Sequence, residues 1–422
     1  MEIYVVEEGD TLYSIAERYG VSVSRLAYDN QIQNNQLVVG QALLILFPEV
    51  VHVIQEGDTL SSIASQYGIT QRSLLRNNSY LLNEFFLVPG RELVITYRNR
   101  EYRELDIVGY AYAFIRRELL FESCLYIDEL LPFSYGFELD ASLIEMNDDF
   151  LLQTATAFQI EKRMVITPLD RNERFNNQLV IQLLGDITFQ EELITNIVNV
   201  MNQKGYTALD VDFEYIPGEY RENYVAFLRL LRERLLVYGY PISVAVPPKI
   251  SADQRGLLYE GIDYGQIGQV ADTVFIMTYE WGYKYGPPLA VAPIPSVRRV
   301  LDYAISEIEP SKIMLGIPNY AYDWPLPFES GVTVAETIGN VEAVNIALQY
   351  GARIEYDEEA KAPYFYYQRD GTERVVWFED VRSIQEKYNL VQEYQFMGAG
   401  YWNLMSEFRG NWMYVNQIVR SE

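Results

Sequence analysis

Two periods of apolar residues divide the chain. Over residues 1–96 the pattern reads strand, helix, helix, strand, and it then repeats at an offset of 48. Val5-Val-Glu-Glu-Gly-Asp-Thr-Leu12 matches Val53-Ile-Gln-Glu-Gly-Asp-Thr-Leu60, and Ser14-Ile15-Ala16 matches Ser62-Ile63-Ala64. Leu12, Ile15 and Ala16 fall at helical spacing, as do Leu60, Ile63 and Ala64. Asp10 and Asp58 are placed to cap these helices, and Gly20 and Gly68 to end them. Each copy closes on a short apolar strand, Leu43–Leu46 and Leu93–Ile95. The pattern predicts two small α+β modules, at 1–47 and 50–96, and a polar linker at 97–104.

From residue 105 the texture changes. Short β-branched runs alternate with longer helical patterns, which predicts a parallel sheet with crossover helices. Eight strands are expected: Ile107–Phe114, Pro132–Phe137, Met164–Pro168, Ala208–Glu214, Ile242–Val246, Thr273–Tyr279, Ile313–Pro318 and Gly398–Asn403. Eight such units over residues 105–422 predict an α/β fold, the (β/α)8 TIM barrel. Between the seventh and eighth strands a helical pattern covers Asn340–Gln349. Beyond it, Asp370-Gly371 separates two aromatic and β-branched runs, which predicts a small hairpin inserted there.

The fourth strand carries Asp210-Val211-Asp212-Phe213-Glu214. Side chains alternate faces along a strand, so the three carboxylates share one face and Val211 and Phe213 the other. Crowded like charges on a buried strand are unfavourable, and acid–base chemistry is a reason to keep them. By itself the pattern also fits a solvated edge strand or an oxygen-ligand site for a divalent cation. Reactive groups of such barrels sit at the C-terminal ends of strands. Glu214 lies at one such end; the sixth strand ends Phe275-Ile-Met-Thr-Tyr-Glu-Trp281 and the eighth Gly398-Ala-Gly-Tyr-Trp-Asn403.

Composition narrows the field. The 422 residues carry 33 basic and 59 acidic side chains, a net charge of −26, which argues against nucleic-acid and anionic-membrane partners. One histidine, His52, placed at a strand start, removes Ser-His-Asp chemistry and His-rich metal sites. One cysteine, Cys124, removes intramolecular disulfides and reads as a small buried apolar residue. The start Met-Glu-Ile-Tyr-Val-Val has no basic and apolar leader, so the expectation is a chain made in the cytosol.

Both N-terminal copies, through Gly-Asp-Thr-Leu, Ser-Ile-Ala and the later Asn30 and Asn78, resemble LysM domains. That resemblance implies binding of N-acetylglucosamine (GlcNAc) glycans such as peptidoglycan or chitin. Residues 105–422 resemble glycoside hydrolase family 18, through Asp-x-Asp-x-Glu on strand four, Met-x-Tyr on strand six and the Trp on strand eight. The resemblance implies a retaining glycosidase whose substrate acetamide is the nucleophile, with no metal or cofactor. It makes Glu214 the proton donor and later base, Asp212 the partner of the acetamide, Asp210 its support and Tyr279 a donor to the acetamide carbonyl. Tyr215, Met277 and Glu280 would contact substrate, and Trp402 would floor the sugar cleaved at its reducing side; Ile317-Pro-Asn-Tyr-Ala-Tyr-Asp-Trp324, after strand seven, fits a cleft lining through Tyr320 and equally a structural role.

Three positions depart from the family pattern. Thr207 stands where the full signature has another Asp, Met164-Val-Ile-Thr-Pro-Leu-Asp170 lacks a Ser-x-Gly-Gly element, and Glu280 replaces an Asp. With two LysM copies and Phe133-Ser-Tyr-Gly-Phe137, the chain resembles the spore-associated branch, which includes the cortical-fragment-lytic N-acetylglucosaminidases of endospore formers. That branch implies deposition in the spore coat or cortex region and a role in germination; a monomer is the expectation. A cortex-like glycan, bearing lactam rings in place of many charged peptides, would repel a −26 chain less than vegetative wall. Other classes stay open: an inactive or weakly active glycan-binding coat protein, and a chitinase.

Overall fold

The computed structural model describes residues 1–84, 86–98, 103–172 and 174–419. Eight parallel strands close into a barrel: β1 (Asp106–Tyr112), β2 (Glu129–Phe133), β3 (Glu161–Ile166), β4 (Ala208–Val211), β5 (Ile242–Val246), β6 (Thr273–Ile276), β7 (Ile313–Pro318) and β8 (Gly398–Trp402). Strands of such a barrel are covered on both faces, hence their continuous apolar runs; every residue of β4, β5, β6 and β7 is buried. Helices pack outside. Phe213 points out from the end of β4 and stacks on Tyr224 and Phe227 of the helix Arg221–Leu236, at 6.0 and 6.1 Å between centroids.

Only β5 and β7 keep the limits that the sequence predicts; β1, β3 and β8 shift by one to three residues, β6 ends at Ile276 so that Met277, Thr278 and Tyr279 lie beyond it, and β2 and β4 also change. β2 spans Glu129–Phe133, and Gly136–Phe137 belongs instead to a short antiparallel ribbon with Leu143–Ile144. β4 ends at Val211: Asp212 still donates its N–H to Ile166, at 3.1 Å, and the chain then turns out of the sheet to reach Tyr215 at φ +58°. The alternation nevertheless persists past the strand, with Phe213 in the helix layer and Asp210 and Asp212 buried.

The expected hairpin is part of something larger. Asp370 and Gly371, at φ +54° and +78°, join the strands Ala362–Arg369 and Thr372–Trp377. These two pair with Ala321–Pro325, Glu336–Ile338 and Glu355–Asp357 in a five-stranded antiparallel sheet, with the helix Asn340–Tyr350 on one face. The remote strand Ala321–Pro325 reads as Tyr-Asp-Trp rather than as a β-branched run, so local pattern did not disclose it.

In the N-terminal modules the cap is one residue later than expected. Thr11 and Thr59, not Asp10 and Asp58, cap the first helices, accepting from Ser14 and Ser62 N–H at 3.0 Å in reciprocal capping boxes. The aspartates instead close the preceding turn: Asp10 accepts from Glu7 N–H and the Tyr4 hydroxyl, and Asp58 from Gln55 N–H. Gly20 and Gly68 end the helices in the left-handed region, at φ +64° and +67°. His52 lies near the end, not the start, of the strand Pro48–Val53, between Tyr67 and Asp58. Tyr97, expected to open the linker, is the buried last residue of the strand Glu92–Tyr97, while residues 99–102 of that linker lie outside the described residues.

Both modules are fixed to the barrel. Arg72 donates to the carbonyls of Leu125, Cys124 and Ile127, just before β2. Gln31 donates to Glu407 and accepts from Arg409 N–H in the segment after β8, and Val39 accepts from Ile354 N–H of the inserted region. Cys124 is fully buried, which pushes its thiol up to about 12. Among the described residues no helix is long and apolar enough to cross a membrane.

Candidate active site

Asp210 sits inside the barrel, fully buried, between two hydroxyl donors. Tyr110 of β1 donates to one carboxylate oxygen at 3.0 Å, and Ser243 of β5 donates to the other. Both oxygens are thus engaged by protein donors. Burial raises Asp210's proton affinity, and the Ser243 hydrogen bond, Arg163 and Tyr110 pull it back.

Asp212 follows at the rim and has no such support. It is 6% exposed, and its Oδ1 is buried without a hydrogen-bond partner, an acceptor ready for an incoming N–H. Burial pushes its proton affinity well up, and the charges of Glu214 and Asp210 push further. Glu214 is raised by burial and then by Glu280, up to about 7, with a small opposing effect from Tyr215. Among the described residues no cation pairs with Asp212, Glu214 or Glu280. Three neighbouring carboxyls without a counter-charge cannot all ionise, so near neutral pH one of them holds a proton.

The sixth and seventh strands supply the opposite wall. Tyr279, 7% exposed, feels the charges of Asp212, Glu214 and Glu280, and burial with those charges keeps its phenol protonated. Its ring needs room: a Cβ on Gly316 of β7 would stand 2.9 Å from Tyr279 Cε1 and 2.5 Å from Ile276 O, so no other residue fits there. Glu280 is held by Tyr320, which donates to its Oε1, and by Tyr322, which donates to the same oxygen at 3.0 Å. Tyr215 and Glu280 lie just beyond β4 and β6, and both take positive φ, +58° and +70°. Such backbone costs about 1–3 kcal/mol per residue and concentrates at functional sites. Met277 is half-buried just beyond β6 and packs on the core.

The floor is aromatic. The half-buried Trp402 ring meets Phe133 at 4.7 Å, Tyr110 at 5.6 Å and Tyr112 at 5.9 Å between centroids. Tyr110 therefore joins the floor to the acid cluster, its ring against Trp402 and its hydroxyl on Asp210. Asp210, Asp212, Glu214, Tyr279, Glu280, Tyr320 and Trp402 thus converge at the C-terminal mouth of the barrel, and Tyr215 stands 36% exposed at its edge. Sequence reasoning missed Tyr110, Ser243 and Tyr322. A polar residue inside an otherwise apolar barrel strand, as in Ile242-Ser-Val-Ala-Val246, was the available signal.

Comparison with known proteins agrees with this architecture. The pattern of the glycosyl hydrolases family 18 matches residues 181–407, and that of the LysM domain matches residues 4–45 and 52–96. The chain is 38% identical over 421 residues to the cortical fragment-lytic enzyme of Bacillus subtilis (strain 168), covering 99% of this chain and 97% of that one. It is 33% identical to the putative sporulation-specific glycosylase YdhD of the same organism, covering 98% of each. The crystal structure of the Bacillus cereus spore cortex-lytic enzyme SleL superposes with a TM-score of 0.84 at 35% identity, covering 99% of this chain and 98% of that one.

Proposed function

The chain belongs to the glycosyl hydrolases of family 18 and is a glycoside hydrolase, and on that premise we propose that it cleaves spore-cortex peptidoglycan after GlcNAc, guided by its LysM modules. The observation that carries the reading is the uncompensated carboxyl cluster, with Glu214 raised to about 7 at a strand end. A group with that proton affinity is half protonated near neutral pH, as a general acid must be.

In this reading the substrate acetamide lies between Asp212 and Tyr279. The free Asp212 Oδ1 accepts the amide N–H, and the Tyr279 hydroxyl donates to the amide carbonyl. The acetamide oxygen is thereby held against the anomeric carbon, which is a proximity contribution. As it attacks, the glycosidic C–O bond breaks and Glu214 delivers its proton to the leaving oxygen. The resulting oxazolinium carries positive charge beside ionised Asp212. Glu214, now a carboxylate, takes a proton from water as that water opens the oxazolinium, and the configuration is retained. Asp210, held by Tyr110 and Ser243, fixes Asp212 from below. Trp402 floors the sugar, and Tyr215, Met277, Glu280 and Tyr320 border it.

The cortex assignment rests on the whole-length likeness to the cortical fragment-lytic enzyme and to SleL. With it goes the proposal that the protein acts in the spore coat or cortex region. The residues used all lie in one chain, so the scheme needs no second subunit. The test is digestion of purified cortical fragments and of chitin oligomers by the full-length protein and its Glu214→Gln variant, read by mass spectrometry. Fragments ending in GlcNAc, released only by the parent, are expected. Faster cleavage of chitin would sink the cortex assignment, and equal turnover by the variant would remove Glu214 from the chemistry.

A further inference from the structure

Barrel interiors are filled mostly by branched apolar side chains, yet β3 turns an arginine inward. Arg163 is buried and lines, together with Asp210, a cavity of about 20 Å³ below the acid cluster. That volume has room for one water molecule. The Arg163 Nε and Nη2 donate to the two carboxylate oxygens of Glu129, at the start of β2, at 2.5 and 2.9 Å. The third nitrogen, Nη1, is buried with no hydrogen-bond partner. A buried guanidinium N–H left unpaired is costly and calls for an explanation. Asp210, in turn, accepts from Tyr110 on one oxygen and from Ser243 on the other, which suits a carboxylate rather than a carboxylic acid. A fully buried carboxylate needs a positive neighbour. β1 brings Asp106 and Tyr110 to the cavity, β2 brings Glu129, and β5, β6 and β7 bring only groups without charge. Tyr279 and Asp212 lie above Asp210, and Tyr224 faces it from the helix Arg221–Leu236. Among the described residues Arg163 is the one cation that lines this cavity.

We infer that Arg163 is a positioning residue for the acid cluster: from inside the barrel, across a site for one water, it holds Asp210 as an anion, so that the proton of the cluster stays with Asp212 and Glu214. The inference rests on the glycan-hydrolase reading above and adds a residue that touches neither substrate nor the reacting atoms. Glu129 fixes the guanidinium fork through two nitrogens and leaves Nη1 to serve the water site. It also cancels part of the positive charge, so the pair sets how strongly Asp210 is held. The influences on Asp210 run in the matching directions: burial raises its proton affinity, Ser243 and Arg163 lower it, and Glu129 raises it again. In the catalytic scheme both aspartates are negative while the oxazolinium forms above them, and the guanidinium keeps the lower one so.

The test is the acid limb of the pH profile of kcat on soluble cortical fragments, measured with the full-length protein. That limb marks the loss of the aspartate anions, and two substitutions in the pair should move it in opposite directions. Arg163→Met removes the cation and leaves Glu129 without its partner, so the limb is expected to rise by about one pH unit. Glu129→Gln leaves the guanidinium uncompensated, so the limb is expected to fall by roughly half a unit. Arg163→Lys keeps a positive charge and should keep the parent's limb. A merely structural pair would lower kcat or the melting temperature without moving the limb. Limbs that stay in place, or that move the same way in Arg163→Met and Glu129→Gln, overturn the inference while the parent's turnover keeps the hydrolase reading. The Arg163→Met shift recurring in Arg163→Lys overturns it as well. Where Arg163→Met does not fold, Glu129→Gln decides: a falling limb supports the role, and an unmoved or rising one removes it. A parent that turns over no fragment overturns the hydrolase reading, and this inference with it.

Discussion

The barrel mouth and the inserted sheet both bury carboxylates, and they treat them in opposite ways. Asp323, fully buried in the sheet, meets the Arg374 guanidinium at 2.9 Å and the Tyr367 hydroxyl at 2.6 Å. Glu379, just beyond the sheet, is paired with the buried Lys387 at 2.7 Å. At the mouth, the buried Asp212, the half-buried Glu214 and the solvent-exposed Glu280 have carboxyl neighbours and tyrosines but, among the described residues, no cation. An ion pair returns part of the solvation lost on burial; without one, the group answers by binding a proton. The same burial thus yields a rigid strut in one region and a titrating acid in the other.

Four experiments break or sharpen this contrast. The largest effect is expected at Glu214: Glu214→Gln removes the proposed proton donor and should lower kcat on cortical fragments by roughly 10³-fold, measured by reducing-end release. A loss under threefold would place the acid elsewhere. In the sheet, Arg374→Met leaves Asp323 buried without its closest cation and should cost about 3 kcal/mol, read from urea unfolding. A neutral result would mean that Tyr367 and Arg369 suffice, and the strut interpretation fails.

The third concerns stability and pH. Glu214 binds its proton more tightly folded than unfolded, so its contribution to stability is fully present below its unfolded value near 4.3 and is lost as pH rises through about 7. Glu214→Gln does not titrate. Its melting temperature should therefore exceed the parent's at pH 8 and match it at pH 4, by differential scanning calorimetry; a gain that does not vary with pH contradicts the unpaired charge as its source. The smallest effect is on the rate profile. The alkaline limb of kcat/KM should fall near pH 7, and Glu280→Gln, by removing a neighbouring negative charge, should move it to lower pH. A move to higher pH would show that Glu280 does not act on Glu214 through its charge.

Much of the site was legible because its chemistry is written in contiguous residues. The alternation in Asp210–Glu214 placed carboxylates and apolar side chains on opposite faces, and Met277-Thr278-Tyr279 and Tyr401-Trp402 marked two further strand ends. The supports were not legible. Tyr110 and Ser243 come from strands β1 and β5, more than thirty residues away on either side, and only barrel closure brings them to Asp210. Tyr322 reaches Glu280 from a strand paired on one side with Glu336–Ile338 and on the other with Thr372–Trp377, some fifty residues further on. The helix caps show the limit at short range: Asp10 and Thr11 are both good cap residues, and the choice fell to Thr11 because Tyr4, across the module, engages Asp10.

Sequence alone determined the repeat, the eight-strand barrel and the identity of the acid cluster, because each depends on local periodicity or on residues adjacent in the chain. Tertiary structure alone decided which carboxylates go without a cation, where β4 releases Asp212 and Glu214 into the mouth, and that the inserted hairpin lies in the interior of a five-stranded sheet. Burial and charge neighbours set these outcomes, and both are properties of groups distant in sequence brought within a few ångströms by the fold.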